Sequence, residues 1–321
     1  SGMAVPKGIT LIVGGGFHGK STLLNAIQSA IYPHARGDGR ELIATNPTAV
    51  KIRAEDGRAS QPVNISGFMD DLPYVSSTET FSTQSASGST SQAINIIEAL
   101  EAESSLLLMD EDTCATNFMI RDSRMQALIS NDREPITPLV DRIEEIYKKF
   151  ETSTIIVMGG SGDYFDSANC VIAMDSFLPK EVTQKAKQIV KDNPTERKIE
   201  TRFSFPAIHQ RFRDLTPLSF RRRNKECLIQ TRQLISLLIG KTEIDVRYVE
   251  HLIEEGQLEI CGWIMKKIKD EQKQESQQIS IVREILNDIE SSGLDNITPY
   301  NNGKLALPRY QDLFAVMNRL R

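Results

Sequence analysis

Gly14-Gly15-Gly16-Phe17-His18-Gly19-Lys20-Ser21-Thr22 is the stretch that decides how this chain is read. The apolar run Ile9-Thr10-Leu11-Ile12-Val13 precedes it and Leu23-Leu24-Asn25-Ala26-Ile27 follows, so a glycine-rich turn joins a strand to a helix. In that setting the pattern G-x-x-x-x-G-K-[ST] is a phosphate-binding loop. Its residue types follow from the ligand. Inward-pointing main-chain N–H groups surround a polyanion, and the N-terminus of the next helix adds its dipole. Gly14 and Gly19 permit backbone angles and a close approach that a Cβ would forbid. Lys20 is placed to reach the β- and γ-phosphates of a nucleoside triphosphate, and the Ser21 hydroxyl to hold Mg²⁺. Gly15, Gly16, Phe17, His18 and Thr22 complete the expected nucleotide-binding set, with His18 read as a loop-surface residue.

Composition bounds the rest. The chain has 321 residues, 25% charged and 40% hydrophobic, which suits a globular protein of one large or two modest domains. A formal net charge of −5 provides no overall basic field, so a nucleic-acid partner would need a local patch. Cys114, Cys170, Cys227 and Cys261 are far apart and form no C-x-x-C pair, as expected for reduced thiols in a cytoplasmic protein without a cysteine metal site. The histidines form no ligand cluster. The longest apolar run, Leu234-Ile235-Ser236-Leu237-Leu238-Ile239, reads as a helix turn or a buried strand. It is far short of the roughly 20 residues that cross a bilayer, so no membrane partner is expected. No signal peptide is expected before the first strand.

Along the chain, Ala49 to Ala54 alternates like a strand, Asp56-Gly57 reads as a hairpin turn, and Pro62 to Ser66 as the return strand. Residues 76–91 are rich in Ser and Thr, the composition of a linker. The segment after them has a different character. Ser91 to Glu103 has a helical pattern, and Ser105 to Glu111 is a buried strand ending in two acids. Downstream of a phosphate loop, such a strand end supplies a metal ligand, Asp110, and a general base for the attacking water, Glu111. Ser153 to Met158 and Cys170 to Asp175 are further buried strands. Gly159-Gly160-Ser161-Gly162-Asp163 follows the first of them, at the strand end where ligands bind in open α/β sheets. Strands alternating with helices predict an α/β domain over residues 1–179, with a mostly parallel sheet flanked by helices.

Residues 180–321 are expected to form a mainly α-helical domain, with helices at Lys180–Asp192, Glu243–Lys269, Ile279–Ile289 and Arg309–Arg321. Within it, Arg202, Arg211, Arg213 and Arg221-Arg222-Arg223-Asn224-Lys225 interleave with Phe203, Phe205, Phe212 and Phe220. Phosphate contact with base stacking would use those types, and so would a solvated basic face over a local core.

The order of segments resembles the ABC class of ATPases. In that class a Ser-Gly-Gly-Gln loop opens a helix, and an apolar strand ending Asp-Glu comes next. Here Ser87-Gly88-Ser89-Thr90-Ser91-Gln92, a helix, and Leu106 to Glu111 stand in those places, and Asp112 to Asn117 stands in that of the D-loop. More closely, the chain is similar to the family of predicted bacterial ATPases of the ABC class, through GGGFHGKSTLL, ASGSTSQA, DEDTCATNFMIRDSRMQ and GGSGDY. The resemblance implies an ABC-type P-loop fold, ATP with Mg²⁺, and ATP hydrolysis. It also implies a homodimer with ATP at the interface, in which Ser87, Gly88 and Ser89 of one subunit cap the γ-phosphate held by the other. Family members carry a further N-terminal region, so the chain is expected to be a fragment.

Two departures bear on turnover. Ser89 and Thr90 replace the second glycine and the glutamine of the signature, and Gly159-Gly160-Ser161 stands where the class has a switch histidine. The Ser161 hydroxyl, or Asp163, is left to contact the γ-phosphate. Gln61 and Ser66 are the candidates for the glutamine loop. The leading expectation is an ATPase, not a transporter motor, with Glu111, Lys20 and Ser161 as its catalytic set. The alternative is a nucleotide-gated module for single-stranded RNA or DNA with slow or incidental turnover.

Overall fold

The apolar runs become the inner strands of one sheet. In a computed structural model, β1 (Ile9–Val13), β2 (Val50–Ile52), β5 (Leu106–Asp110), β6 (Ser153–Val157), β7 (Cys170–Asp175) and β8 (Leu178–Glu181) pair in the order β2-β5-β6-β1-β7-β8. All are parallel to their neighbours except β8, which returns antiparallel along β7. The structure describes residues 2–72, 76–201, 203–221, 227–271, 278–300 and 302–320.

The inner strands read as unbroken apolar runs because both faces of the sheet are covered. Side chains alternate between the faces. Leu107, Met109 and Ile156 join one core with Ile94, Ile97, Phe118, Leu139 and Ile143. Those partners come from α2 (Gly88–Glu101), α3 (Thr116–Met119) and α5 (Leu139–Phe150). On the other face Leu106, Leu108, Ile155 and Val157 pack with Leu24 and Ile27 of α1 (Lys20–Ser29). The fold is therefore the expected mostly parallel sheet flanked by helices.

Some local expectations fail. Gly57 does make a turn (φ 82°), but the strands around it belong to different sheets. β2 pairs with β5, while β3 (Ser60–Val63) pairs with β4 (Phe81–Thr83). Ile52 is buried against the large sheet, an environment that an isolated two-stranded hairpin cannot offer. Lys180 belongs to β8, and the helix expected from it, α6 (Thr183–Asp192), starts three residues later.

The chain forms two compact units. Ser1–Gly57, Val63–Phe81 and Ala86–Ile208 make the first; Arg58–Pro62, Ser82–Ser85 and His209–Arg321 make the second. The second unit has helices and a small antiparallel sheet, β9 (Ile229–Arg232), β10 (Ser236–Ile239) and β11 (Thr242–Asp245), in the order β11-β10-β9. The helix expected from Glu243 starts only at α7 (Glu255–Glu271), because Glu243 and Ile244 pair with Leu238 and Leu237. Ile244 is buried between exposed neighbours, the period of a strand. Trp263 and Ile264 of α7, Val282 of α8 (Gln278–Ser292) and Phe314 of α9 (Tyr310–Met317) are buried there.

Arg202, Arg222, Arg223 and Lys225 of the basic stretch lie outside the described residues. Of the rest, Arg213 is buried, lies 4.4 Å over the Phe314 ring and donates from Nε to Asn318 Oδ1 at 2.8 Å. Phe205 and Phe220 are buried in their own units. These three side chains pack and pair within the protein. No helix among the described residues is long and apolar enough to cross a membrane.

Candidate active site

The phosphate loop lies where β1 hands over to α1. Gly14 (φ 141°) and Gly19 (φ 91°) take positive angles, and Gly19 is the N-cap of the helix. Lys20 opens α1 and folds back, its Nζ donating to Gly14 O at 2.8 Å and Gly15 O at 2.9 Å. Gly16 and Phe17 follow, with Phe17 fully exposed at the tip in a left-handed conformation (φ 62°). Ser21 is half-buried in the first turn of α1 and Thr22 is exposed. His18 is more engaged than a loop-surface residue. Its Nδ1 accepts from Ser176 N–H at 3.0 Å, and Phe177 N–H donates to His18 O at 3.2 Å. The turn between β7 and β8 is thus tied to the phosphate loop. Beside it Asp175 accepts from Lys180 Nζ at 3.0 Å, a bond that holds its carboxyl below the ordinary carboxylate value.

Asp110 ends β5 and is buried; its Oδ1 accepts from Asp112 N–H at 3.3 Å and caps the short 3-10 turn Glu111–Thr113. β6 runs between β1 and β5, with Val157 level with both Ile12 and Asp110. That register sets the loop after β6 between the phosphate loop and the two acids. Glu111 Oε2 accepts from Gly159 N–H at 2.5 Å and from Gly160 N–H at 3.0 Å. A Cβ built on Gly159 would stand 3.6 Å from Glu111 Oε2 and 3.9 Å from Lys20 Nζ. Ammonium, carboxylate and main-chain donors therefore converge at one end of the sheet. Burial pushes the nearby Cys114 thiol up to about 12, so it is a neutral neighbour of this cluster at physiological pH.

Other expected residues have partners elsewhere. Ser161 Oγ donates to Asp163 Oδ2 at 2.9 Å and accepts from Asp163 N–H at 3.2 Å. Asp163 Oδ1 accepts in turn from Thr195 Oγ1 at 2.7 Å. Gln61 brackets the main chain of Asp214, donating to its O at 3.2 Å and accepting from its N–H at 2.9 Å. Ser66 Oγ donates to Asn64 Oδ1 at 2.6 Å. Ser87 is the N-cap of α2, its Oγ accepting from Thr90 N–H at 3.3 Å, and Gly88 and Ser89 form the first turn. Among the described residues no hydrogen bond joins Ser87, Gly88 or Ser89 to residues 14–22. The Gly159-Gly160 loop is legible in the sequence as a strand end, but the role of its N–H groups is not, since main-chain donors carry no residue code.

A central parallel strand running into a glycine-rich loop and a helix, with paired acids at the end of a strand one removed in the same sheet, defines a P-loop protein. Residues 1–211 match the ABC_ATPase family, a P-loop domain, and the chain belongs to that family. Residues 228–321 match the MRB1590 C-terminal domain. Over 158 residues the chain is 32% identical to the uncharacterized protein MJ1628 of Methanocaldococcus jannaschii. That match covers 49% of this chain and 34% of the relative, about a third of the relative's length.

Proposed function

We propose that this protein binds MgATP at the phosphate loop and hydrolyses it, with Lys20 and Glu111 as the residues that carry the chemistry. The observation behind the proposal is the convergence of the Lys20 ammonium and the Glu111 carboxylate around Gly159. Loop N–H groups and Lys20 bind and orient the phosphates. Glu111 accepts a proton from water as the water oxygen bonds to the γ-phosphorus and the bond to the β,γ-bridging oxygen breaks, which releases ADP and phosphate. Ser21 and the buried carboxylate of Asp110 fit a hard cation, since both offer oxygen donors at the loop mouth and strand end. Ser21 and Asp110 would hold Mg²⁺ there, and the cation would supply charge neutralisation for the phosphates.

Closure by a second copy of the chain completes the proposed mechanism. The N-terminus of α2, with Ser87 exposed and Gly88 and Ser89 half-buried, offers N–H and hydroxyl donors to an anion. In a twofold dimer each Ser87–Ser89 loop would cap the nucleotide of the other subunit.

Phosphate release from MgATP tests the reading. Glu111→Gln is expected to keep MgATP binding and to lose roughly 10²- to 10⁴-fold in turnover. Lys20→Ala is expected to abolish binding by calorimetric titration. Parental turnover in Glu111→Gln would remove Glu111 as the base.

A further inference from the structure

The Glu111 carboxylate does not hang free in the site. Both hydrogen bonds fall on one oxygen: Oε2 takes Gly159 N–H at 2.5 Å and Gly160 N–H at 3.0 Å. Successive N–H groups of this kind make an anion-binding concavity. The loop that presents them is fixed at both ends. Met158 N–H donates to Ile12 O at 3.0 Å, one residue before the nest and one strand from the phosphate loop. Beyond the nest, Ser161 and Asp163 bond each other, and Asp163 accepts from Thr195.

Neither nest glycine takes a positive φ, so neither is required by backbone conformation. The requirement is space. A Cβ on Gly160 would stand 2.7 Å from Glu111 Oε1, whereas a Cβ on Gly159 would meet Oε2 at an ordinary 3.6 Å. Any side chain at position 160 crowds Oε1, the oxygen that accepts no nest hydrogen bond.

From this geometry we infer that Gly160, with Gly159, is a positioning element for Glu111: the nest clamps Oε2 and leaves Oε1 to face the attacking water. The inference rests on the proposed role of Glu111 as general base. A side chain at position 160 would crowd the carboxylate that main-chain donors hold in place.

The test sets Gly160 against a glycine of the same loop that does not touch Glu111. Gly160→Ala must move the carboxylate by about 0.7 Å to reach ordinary contact. A misplacement of about 1 Å costs on the order of 10²-fold in rate, so kcat is expected to fall roughly 10- to 100-fold. The Kd for MgATP should stay at the parental value. Gly162→Ala, in the same loop but outside the clamp, would meet only the Phe165 ring at 3.4 and 3.5 Å and should stay within roughly threefold. In the Glu111→Gln background, Gly160→Ala should cause no further loss, because both changes act through one group. Parental kcat in Gly160→Ala together with impaired Glu111→Gln would overturn the nest while leaving the base assignment standing. Parental turnover in Glu111→Gln would overturn the base assignment instead. A readout independent of turnover is amide hydrogen exchange in glycine-labelled protein. Exchange at Gly159 and Gly160 should quicken at least about tenfold in Glu111→Ala, and unchanged exchange would show that the two bonds do not form.

Discussion

The first glycine of the phosphate loop lies against the main chain of a neighbouring strand, and Gly14→Ala measures that contact. Gly14 follows β1, and the main chain of β7 runs alongside, Val13 pairing with Ala173. A Cβ on Gly14 would lie 2.5 Å from Met174 O and 3.3 Å from Met174 N, both main-chain atoms of a buried strand. No side chain can swing aside to relieve that contact. The backbone angle adds to it, since φ at Gly14 is 141°. A non-glycine residue forced into such a region costs of order 1–3 kcal/mol, before any shift of β7 is counted. For a unit of this size each kcal/mol lowers Tm by roughly 2–4 °C, so a fall of at least roughly 2–12 °C is expected in calorimetry of the nucleotide-free protein. Gly16→Ala is the internal control, because a Cβ there meets nothing within 4 Å. It should stay within about 0.5 kcal/mol of the parent, like most unconstrained surface changes. A Gly14→Ala protein that melts with the parent would refute the argument that β7 closes the space beside the loop.

Two further outcomes follow from other parts of the first unit. Ser89→Asp places an acid in the first turn of α2, where it favours the helix by about 0.3–1 kcal/mol but repels an incoming γ-phosphate. Sedimentation of Glu111→Gln with MgATP should show a dimer that the added Ser89→Asp change abolishes, and a monomer in both proteins would sink the composite site. Arg121 and Glu200 form a buried pair at 2.8 Å, so Arg121→Ala should cost roughly 3–5 kcal/mol in urea unfolding by stranding the glutamate. The double change Arg121→Met with Glu200→Leu should restore most of that, and equal losses in both proteins would mean that charge pairing is not the cause.

Legibility in the sequence followed how local each cause is. The phosphate loop was readable because its residue types are set within nine positions by the shape and charge of a phosphate. The buried strands were readable because both their faces are covered. The turn between β7 and β8 was not, since Ser176 (φ 50°) and Phe177 (φ 67°) are left-handed without a glycine or asparagine to announce it. Tertiary pairing also decided β2 and β11, where Ile52 and Ile244 find buried partners that no short window reveals. Gln61 was one of two candidates for the glutamine loop, and its amide matches the main chain of Asp214, 153 residues away. The nest was hidden for another reason. Glycine marks where a backbone can come close, but not what approaches it.

The hydrogen bonds around α2 bear on how one subunit could serve two sites. Gln92 sits one turn into that helix, and its Oε1 accepts from Ala115 N–H at 2.8 Å. Its Nε2 lies 3.3 Å from Met119 Sδ in α3. Thr113 O accepts from Ala54 N–H at 2.9 Å, and the next residue, Glu55, donates its N–H to Ser91 Oγ at 2.7 Å. The segment that follows Glu111 is therefore bonded on both sides to the helix whose N-terminus carries Ser87, Gly88 and Ser89. Those loops make no direct hydrogen bond to their own phosphate loop, yet they are fixed to the strand end that carries Asp110 and Glu111. In the proposed dimer, a shift of α2 on meeting the partner's γ-phosphate would carry through Gln92 to the subunit's own general base. Gln92→Ala removes that bridge without touching either site. It should weaken the dependence of turnover on protein concentration more than it lowers MgATP affinity, because assembly and catalysis would no longer be joined by the side-chain amide. Equal concentration dependence in the variant and the parent would place the coupling, if the dimer forms, outside this helix.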